Sequence, residues 1–248
     1  MLAIIGGSGL TRIATLEAPQ RRVVRTPYGE PSGALTFGRL RGREVVFLPR
    51  HGHAHSIAPH QVNYRANIWA LREQKVNAIV SVASVGGIRA DLGPGVLALP
   101  HQLIDYTHGR RGTFFEGPDQ PVTHVDFTEP YTPRLRAVLV EAAQAAGETL
   151  IDRAVYAVTQ GPRLETAAEI DRLERDGADV VGMTGMPEAV LARELGLAYA
   201  AIAVVANFAA GRGDSTHSIA LEAIGAVLTS AMERVHHILE GCVERHDS

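Results

Sequence analysis

Short apolar runs alternate with longer stretches of helical periodicity along most of the chain. The short runs predict strands at residues 3–5, 34–40, 43–48, 77–85, 154–159, 179–182 and 199–206. Such runs, bounded by turn residues, are typical of strands. The second and third runs flank Arg41-Gly42, a pair that predicts a hairpin turn.

The longer stretches predict helices. Val62, Ala66 and Trp69 recur at positions i, i+4 and i+7, which places them on one helical face. Further helices are predicted at about residues 133–146, 165–175, 187–195 and 218–245. The inner face of the last helix is predicted to contain Ile224, Leu228, Ala231, Val235 and Ile238. This alternation predicts a single α/β domain over residues 1–248, with a mixed central β-sheet flanked by helices.

Polar side chains stand where several predicted strands end. They are Ser8, Arg50, His51, Ser84, Thr184 and Asn207. Ligands of open α/β sheets bind beyond the carboxyl ends of strands. The recurrence therefore predicts one composite binding site.

Composition narrows the possible partners and compartments. The chain has 248 residues, 46% of them hydrophobic, and its 24 basic and 27 acidic residues give a net charge of −3, which provides no electrostatic reason to expect nucleic acid or an anionic membrane. No apolar run approaches the ~20 residues of a membrane span, and the apolar N-terminus lacks a basic leader. Cys242 is the single cysteine, which excludes an internal disulfide. We expect a cytoplasmic protein.

The glycine turn Gly6-Gly7-Ser8-Gly9 admits two interpretations. Its flexible backbone and small hydroxyl suit an anion, because the hydroxyl and nearby N–H groups can point at one oxygen. The alternative is a tight turn without a ligand. Position 12 is Arg where a dinucleotide fingerprint has glycine, and no Walker lysine follows.

The segment LPRHGHAH over residues 48–55, with His60 beyond it, admits three interpretations. Alternating histidines on an extended strand would face the same way and suit a metal ion, but no carboxylate partner accompanies them. Alternatively, Arg50 offers a fixed fork and His51 a further donor to an anion. The third interpretation is a polar surface loop. The Arg-His pair at a strand end favours the anion.

Three other polar residues each have a structural alternative. Glu165 could complement a helix dipole from the first turn. Thr184 could cap the following helix, or hold an anion against its terminus. Asn207 ends an apolar run and could be an ordinary turn residue.

Together, the segments IIGGSGL, PRHG, VNYRANIWAL, GPRLETAAE and GMTGMPEAVLARELGL resemble the trimeric purine nucleoside phosphorylases, and within them the 5′-methylthioadenosine phosphorylase branch. The resemblance spans nearly the whole chain and implies the nucleoside phosphorylase fold. It implies that inorganic phosphate is a co-substrate, with no cofactor and no metal. The phosphate ligands it implies are Ser8, Arg50, His51, Thr184 and, mainly through the backbone, Ala83 and Ser84. Where the methylthioadenosine enzymes carry a threonine, this chain has Ala83.

The resemblance also implies contacts to the sugar and between subunits. Met183 would lie against the ribose. His124 matches a histidine that a neighbouring subunit contributes near the 5′ end of the nucleoside. We therefore expect an oligomer, a homotrimer in this family.

The residues that would face the base depart from the methylthioadenosine branch. Enzymes of this family that act on 6-aminopurines place Asp at the position of Asn207 and again two residues later, where this chain has Ala209. Glu165 matches the 6-oxopurine enzymes. A carboxylate accepts from N1–H of hypoxanthine but would face the N1 lone pair of adenine, and each buried mismatch costs ~1–3 kcal/mol. We expect hypoxanthine or guanine as the base, with Glu165 and Asn207 catalytic beside Arg50 and His51.

At the 5′ end, Leu164 and Ile219 suit a methylthio group, since burying one CH₂-sized unit stabilises binding by about 0.8 kcal/mol. His217 could instead meet a 5′-hydroxyl. The expected reaction is phosphorolysis of a 5′-methylthio 6-oxopurine nucleoside. The alternatives are a general inosine and guanosine phosphorylase, a methylthioadenosine phosphorylase, a nucleoside-binding protein without turnover, and a metal-dependent hydrolase built on the histidines.

Overall fold

The computed structural model of the protein describes residues 1–118 and 120–246. The strands are β1 Leu2–Gly6, β2 Glu17–Arg22, β3 Leu35–Leu40, β4 Arg43–Pro49, β5 Ala78–Gly87, β6 Leu97–Asp105, β7 Ile151–Val158, β8 Val180–Gly182 and β9 Ala198–Phe208. The α-helices are α1 Tyr64–Glu73, α2 Pro133–Ala145, α3 Ala167–Arg175, α4 Glu188–Glu194 and α5 Leu221–Arg245. Within the described ranges, no helix combines the length and apolar character that crossing a membrane requires.

Every predicted strand, every predicted helix and the hairpin between β3 and β4 are confirmed to within a few residues. The sequence reasoning missed β2 and β6. All six residues of β2 are exposed, so it carries no hydrophobic signal. In β6, Pro100 interrupts the apolar run, and the pairing with β7 is irregular at that residue.

The start of α3 differs from the prediction. Thr166 is the N-cap, and its hydroxyl accepts the backbone N–H of Glu169 at 3.1 Å. The Glu169 carboxylate in turn accepts the backbone N–H of Thr166 at 2.8 Å. This capping box begins the helix after Glu165. The interpretation of Glu165 as a first-turn residue is therefore wrong.

The start of α4 differs in the same way. The helix begins at Glu188 after the N-cap Pro187, whereas Thr184 lies in the preceding non-helical segment. Thr184 therefore does not cap this helix, and the capping interpretation is wrong. An anion held by Thr184 would not lie against the terminus of this helix.

The sheet is mixed, as predicted. Its strand order is β2-β3-β4-β1-β5-β8-β7-β6-β9, and β9 pairs back onto β5, so that the last five strands of this order form a closed ring. Strands β1, β4, β5 and β9 run parallel to one another. Strands β3 and β8 are antiparallel to their neighbours β4 and β5.

Both faces of the central strands are covered, which explains why β1, β5 and β9 are continuous apolar runs. In β1, Ala3 and Ile5 pack into the cluster that contains α1 and α4. Their neighbours Leu2 and Ile4 pack into the cluster that contains α2 and α5. The rigid sheet between these two layers fixes the strand ends from which the site is built.

Candidate active site

A cavity of about 500 Å³ lies where β1, β4, β5, β8 and β9 end. Its lining includes the predicted site residues Ser8, Arg50, His51, Ala83, Ser84, Leu164, Glu165, Met183, Thr184, Asn207 and Ile219. His217 lines an adjoining cavity that shares Leu164, Glu165 and Ile219 with the first. His124 lies outside both linings, exposed in the irregular segment between β6 and α2.

Strand directions explain how these segments meet. The parallel strands β1, β4, β5 and β9 bring their carboxyl ends to one edge. Strand β8 is antiparallel to the end of β5, with Val181 opposite Gly86. The chain leaving β8 therefore returns alongside β5 and carries Met183 and Thr184 into the same cavity. One of the converging strands thus arrives from the opposite direction to that expected.

Asn207 lies inside β9, not in a turn, so the turn interpretation is wrong. The pairing of β9 with β5 shifts after Val85, and Asn207 lies opposite Gly86 with Ala206 as the extra residue. Such a bulge re-aims the side chains beside it. Asn207 Nδ2 donates to the carbonyl of Phe208 at 2.7 Å. Among the residues that the structure describes, this side chain has no other hydrogen-bond partner, so Oδ1 and the second amide hydrogen can meet a ligand.

Arg50 is fully buried at the end of β4, with its guanidinium held on several sides. Nε and Nη2 donate to the carboxylate of Glu188 at 2.7 and 2.9 Å. Nη2 also donates to Ser81 Oγ at 2.6 Å, and Nη1 donates to the carbonyl of Val82 at 3.0 Å. A β-carbon at Gly7 would come within 2.9 Å of Nη1. The two forked donors of the guanidinium therefore hold the Glu188 carboxylate rather than a bound anionic ligand. The remaining Nη1–H, beside the glycine turn, is the hydrogen that can reach such a ligand.

Glu188 was missed in the sequence reasoning. Its carboxylate is 0% exposed and also accepts the hydroxyl of Tyr199 at 2.8 Å. Burial lowers the pKa of Arg50, but the charge and hydrogen bonds of Glu188 outweigh burial and raise that pKa above its ordinary value. The available signal was a lone acidic residue in the apolar segment MPEAVLA, because a buried charge needs a partner.

His51 presents an acceptor to the cavity. Its Nδ1 lies 2.8 Å from the carbonyl oxygen of Ile57, which can only accept, so Nδ1 carries the proton. Burial and the Arg50 charge lower the pKa of His51 to about 4. The ring is therefore neutral at pH 7, and its Nε2 offers a lone pair. The interpretation of His51 as a donor does not hold for the neutral ring.

The other histidines of this segment divide into two groups. His55 lines the cavity, with Nε2 2.8 Å from Ser8 Oγ, and its ring stacks on His51 at a centroid distance of 4.9 Å. His53 and His60 are exposed outside the lining. Residues 51–55 form turns, so the idea of histidines alternating along a strand is wrong. Within residues 1–118 and 120–246, no three His, Cys, Asp or Glu side chains are grouped to hold a metal ion.

Glu165 is oriented by a residue that sequence reasoning also missed. Thr159 follows β7, and its hydroxyl donates to Glu165 Oε1 at 2.6 Å. The backbone N–H of Thr159 donates to the carbonyl of Gly182 at 2.8 Å, which ties it to the end of β8. The rule that singled out the other polar residues at strand ends applies equally to Thr159.

The segment after β8 is held by hydrogen bonds to the buried Tyr156 and to the partly buried Arg110. The backbone N–H of Thr184, a residue 7% exposed, donates to the hydroxyl of Tyr156 at 3.4 Å. Arg110 donates from Nη1 to the carbonyls of Met183 and Met186 at 2.8 and 2.6 Å. These contacts fix the backbone that places Met183 and Thr184 in the cavity.

Known proteins resemble this chain over almost its whole length. The sequence profile of the Phosphorylase superfamily matches residues 1–244. A protein of Pseudomonas syringae pathovar tomato named "Probable S-methyl-5′-thioinosine phosphorylase" is 55% identical over 233 residues, which cover 94% of each chain. The 6-oxopurine nucleoside phosphorylase of Pyrococcus furiosus is 46% identical, covering 89% of this chain and 85% of its own. The structure of Schistosoma mansoni methylthioadenosine phosphorylase with adenine superposes with a TM-score of 0.94 at 32% identity, covering 99% of this chain and 91% of that one.

Proposed function

From the premise that this chain belongs to the Phosphorylase superfamily and is a nucleoside phosphorylase of the pentosyltransferase type, we propose that its substrate is S-methyl-5′-thioinosine. Inorganic phosphate is the proposed co-substrate. The proposed products are hypoxanthine and 5-methylthioribose 1-phosphate. The name of the Pseudomonas syringae relative supports this substrate.

The observation that carries the proposal is a carboxylate and a carboxamide in the lining of one cavity. Glu165 accepts from N1–H of hypoxanthine, and Thr159 holds the carboxylate for that contact. The second amide hydrogen of Asn207 donates to O6, while Oδ1 accepts a proton carried by N7. Adenine would set its N1 lone pair against Glu165, a buried mismatch that costs ~1–3 kcal/mol.

Apolar side chains support a methylthio group at the 5′ end. Leu164, Ile219, Ile224 and Leu228 line the same cavity. None of these four side chains can form a hydrogen bond with a 5′-hydroxyl, whereas a methylthio group needs none. His217, in the adjoining cavity, is the donor that a 5′-hydroxyl would need. Identity of 55% to the methylthioinosine relative against 46% to the 6-oxopurine relative points in the same direction.

The proposed mechanism is direct displacement by phosphate. A phosphate oxygen forms a bond to C1′ as the C1′–N9 bond breaks, and the bonding electrons pass to the purine. The sugar is cationic at the midpoint and lies between phosphate and base, so the charge of the phosphate stabilises it. As the electrons reach the purine, N7 takes up a proton from water, and Asn207 Oδ1 accepts the resulting N7–H. Ser8, Arg50 Nη1, His51 and Thr184 orient the phosphate, with backbone groups of Ala83 and Ser84.

We also propose that the active unit is a homotrimer. His124 lies outside the cavity of its own chain, in an exposed segment. In the proposed trimer, it approaches the 5′ end of a nucleoside bound to a neighbouring subunit. Light scattering gives the mass of the assembly, and a trimer of 26.6 kDa chains is expected. His124→Ala should lower kcat/KM while leaving the assembly intact.

The experiment that tests the proposed function compares three nucleosides. Base release from methylthioinosine, inosine and methylthioadenosine is measured with and without inorganic phosphate, in the presence of a chelator. We expect phosphate-dependent release with the highest kcat/KM on methylthioinosine. Fastest release from inosine would indicate a general 6-oxopurine phosphorylase, and fastest release from methylthioadenosine would refute the base assignment. Release that needs no phosphate, or that the chelator abolishes, would refute phosphorolysis.

A further inference from the structure

His55 is a cavity residue to which the proposed mechanism gives no role. It is exposed, its Nε2 lies 2.8 Å from Ser8 Oγ, and its ring is nearly parallel to that of His51, with an interplanar angle of 11°. Its backbone has φ of 51°, in the left-handed region that residues other than glycine rarely adopt. Residues held in such conformations cluster at functional sites, because surrounding contacts must maintain them.

The direction of the Ser8–His55 hydrogen bond decides what Ser8 can offer to an anion. A serine hydroxyl has one hydrogen and two lone pairs. If Ser8 donates to His55, only lone pairs face the phosphate, and lone pairs repel an anion. If Nε2–H of His55 donates to Ser8 Oγ, the hydroxyl hydrogen is free to donate to the phosphate.

His51, the ring stacked on His55, must carry its proton on the other ring nitrogen. His51 carries its proton on Nδ1, which faces Ile57, and its Nε2 is an acceptor that suits the hydroxyl of HPO₄²⁻. His55 must carry a proton on Nε2 for Ser8 to donate. The two parallel rings thus show the cavity one acceptor and, through Ser8, one donor.

Building on the proposed function, we propose that His55 is a positioning residue for inorganic phosphate, which donates from Nε2 to Ser8 and so directs the Ser8 hydroxyl at the anion. His55 acts through Ser8 rather than on the sugar or base. Its loss therefore weakens phosphate binding and leaves nucleoside binding unchanged.

Two substitutions separate this role from the shape of the turn. Asn is among the residues that adopt the left-handed region most readily, so His55→Asn keeps the turn, but its side chain is too short to reach Ser8. In His55→Gln, the longer amide can place an N–H where Nε2 lies. His53→Asn is the matched control, because His53 belongs to the same exposed segment and lies outside the cavity lining.

The test measures the KM for phosphate at saturating methylthioinosine, and the effect of inorganic phosphate alone on the melting temperature. We expect His55→Asn to raise the phosphate KM about tenfold, the effect of losing one hydrogen bond to a charged group. His55→Gln should recover most of that loss, and His53→Asn should match the parent protein. The KM for the nucleoside should change less than twofold throughout.

A double-mutant cycle with Ser8→Ala tests whether His55 affects phosphate binding through Ser8. If His55 acts through Ser8, adding His55→Asn to Ser8→Ala changes the phosphate KM less than twofold. An unchanged phosphate KM in His55→Asn would overturn the proposal. So would a rise in the phosphate KM on His55→Asn that is equally large in the parent protein and in Ser8→Ala. Absence of phosphate-dependent turnover in the parent protein would instead refute the proposed function, and the melting-temperature titration would still test His55.

Discussion

Replacing Glu188 with glutamine tests how the buried Arg50 guanidinium is held at the cavity. Both side chains are 0% exposed, and the carboxylate receives Nε, Nη2 and the hydroxyl of Tyr199. The amide keeps the shape but sets an N–H group against an Arg50 donor and removes the compensating charge. Breaking a buried ion pair from one side costs ~3–5 kcal/mol, and we expect the lower value because glutamine retains one acceptor.

That loss should appear in stability and in phosphate affinity together. For a chain of this length, about 3 kcal/mol lowers the melting temperature by ~10 °C at fixed protein concentration. The phosphate KM should rise at least tenfold, because Nη1 of Arg50 is no longer fixed beside the glycine turn. Tyr199→Phe is the control: it removes one hydrogen bond but keeps the ion pair, and should cost ~1 kcal/mol. If Glu188→Gln melts within 2 °C of the parent with an unchanged phosphate KM, the positioning role of Glu188 is refuted (2 °C being roughly the shift from 1 kcal/mol).

Three further predictions concern the base and the phosphate ends of the cavity. Asn207→Asp combined with Ala209→Asp should raise the ratio of kcat/KM for methylthioadenosine to that for methylthioinosine at least tenfold, and an unchanged ratio would contradict the base assignment. Glu165→Gln should lower kcat/KM on methylthioinosine by about 10–100-fold, the equivalent of ~1–3 kcal/mol, with little change in the phosphate KM. The pKa of His51 is lowered from 6.5 to about 4 in the folded chain. Between these two pH values, the histidine is protonated in the unfolded chain but not in the folded chain. Stability should therefore fall as pH drops through that window, by up to ~1.4 kcal/mol per pH unit, and His51→Gln should flatten the slope measured by urea unfolding.

The elements that were predictable from sequence are those whose apolar pattern reflects their own burial. Strands β5 and β9 are continuous apolar runs because helices cover both faces of the sheet. Strand β2 gave no such signal, since its side chains face solvent and its pairing with β3 depends on backbone hydrogen bonds. Its existence depends on the neighbouring strand rather than on its own residues.

The site likewise contains residues that a local sequence pattern predicts and residues that no local pattern predicts. Polar residues after apolar runs identified the polar part of the cavity lining at Ser8, Arg50, His51, Ser84, Thr184 and Asn207, because strand ends are marked locally. The Arg50–Glu188 pair joins residues 138 positions apart, and no local pattern indicates that contact. The bulge that sets Asn207 opposite Gly86 is a matter of register between two strands, which the composition of either strand does not specify.

A crystal structure with hypoxanthine and inorganic phosphate in the cavity tests the central claim most directly. The account predicts the Glu165 carboxylate within hydrogen-bond distance of N1, and the Asn207 amide within hydrogen-bond distance of N7 and O6. It predicts the phosphate beside the glycine turn, between Ser8 and Arg50 Nη1. A base whose N1 edge faces away from Glu165, or a phosphate bound elsewhere, would contradict it.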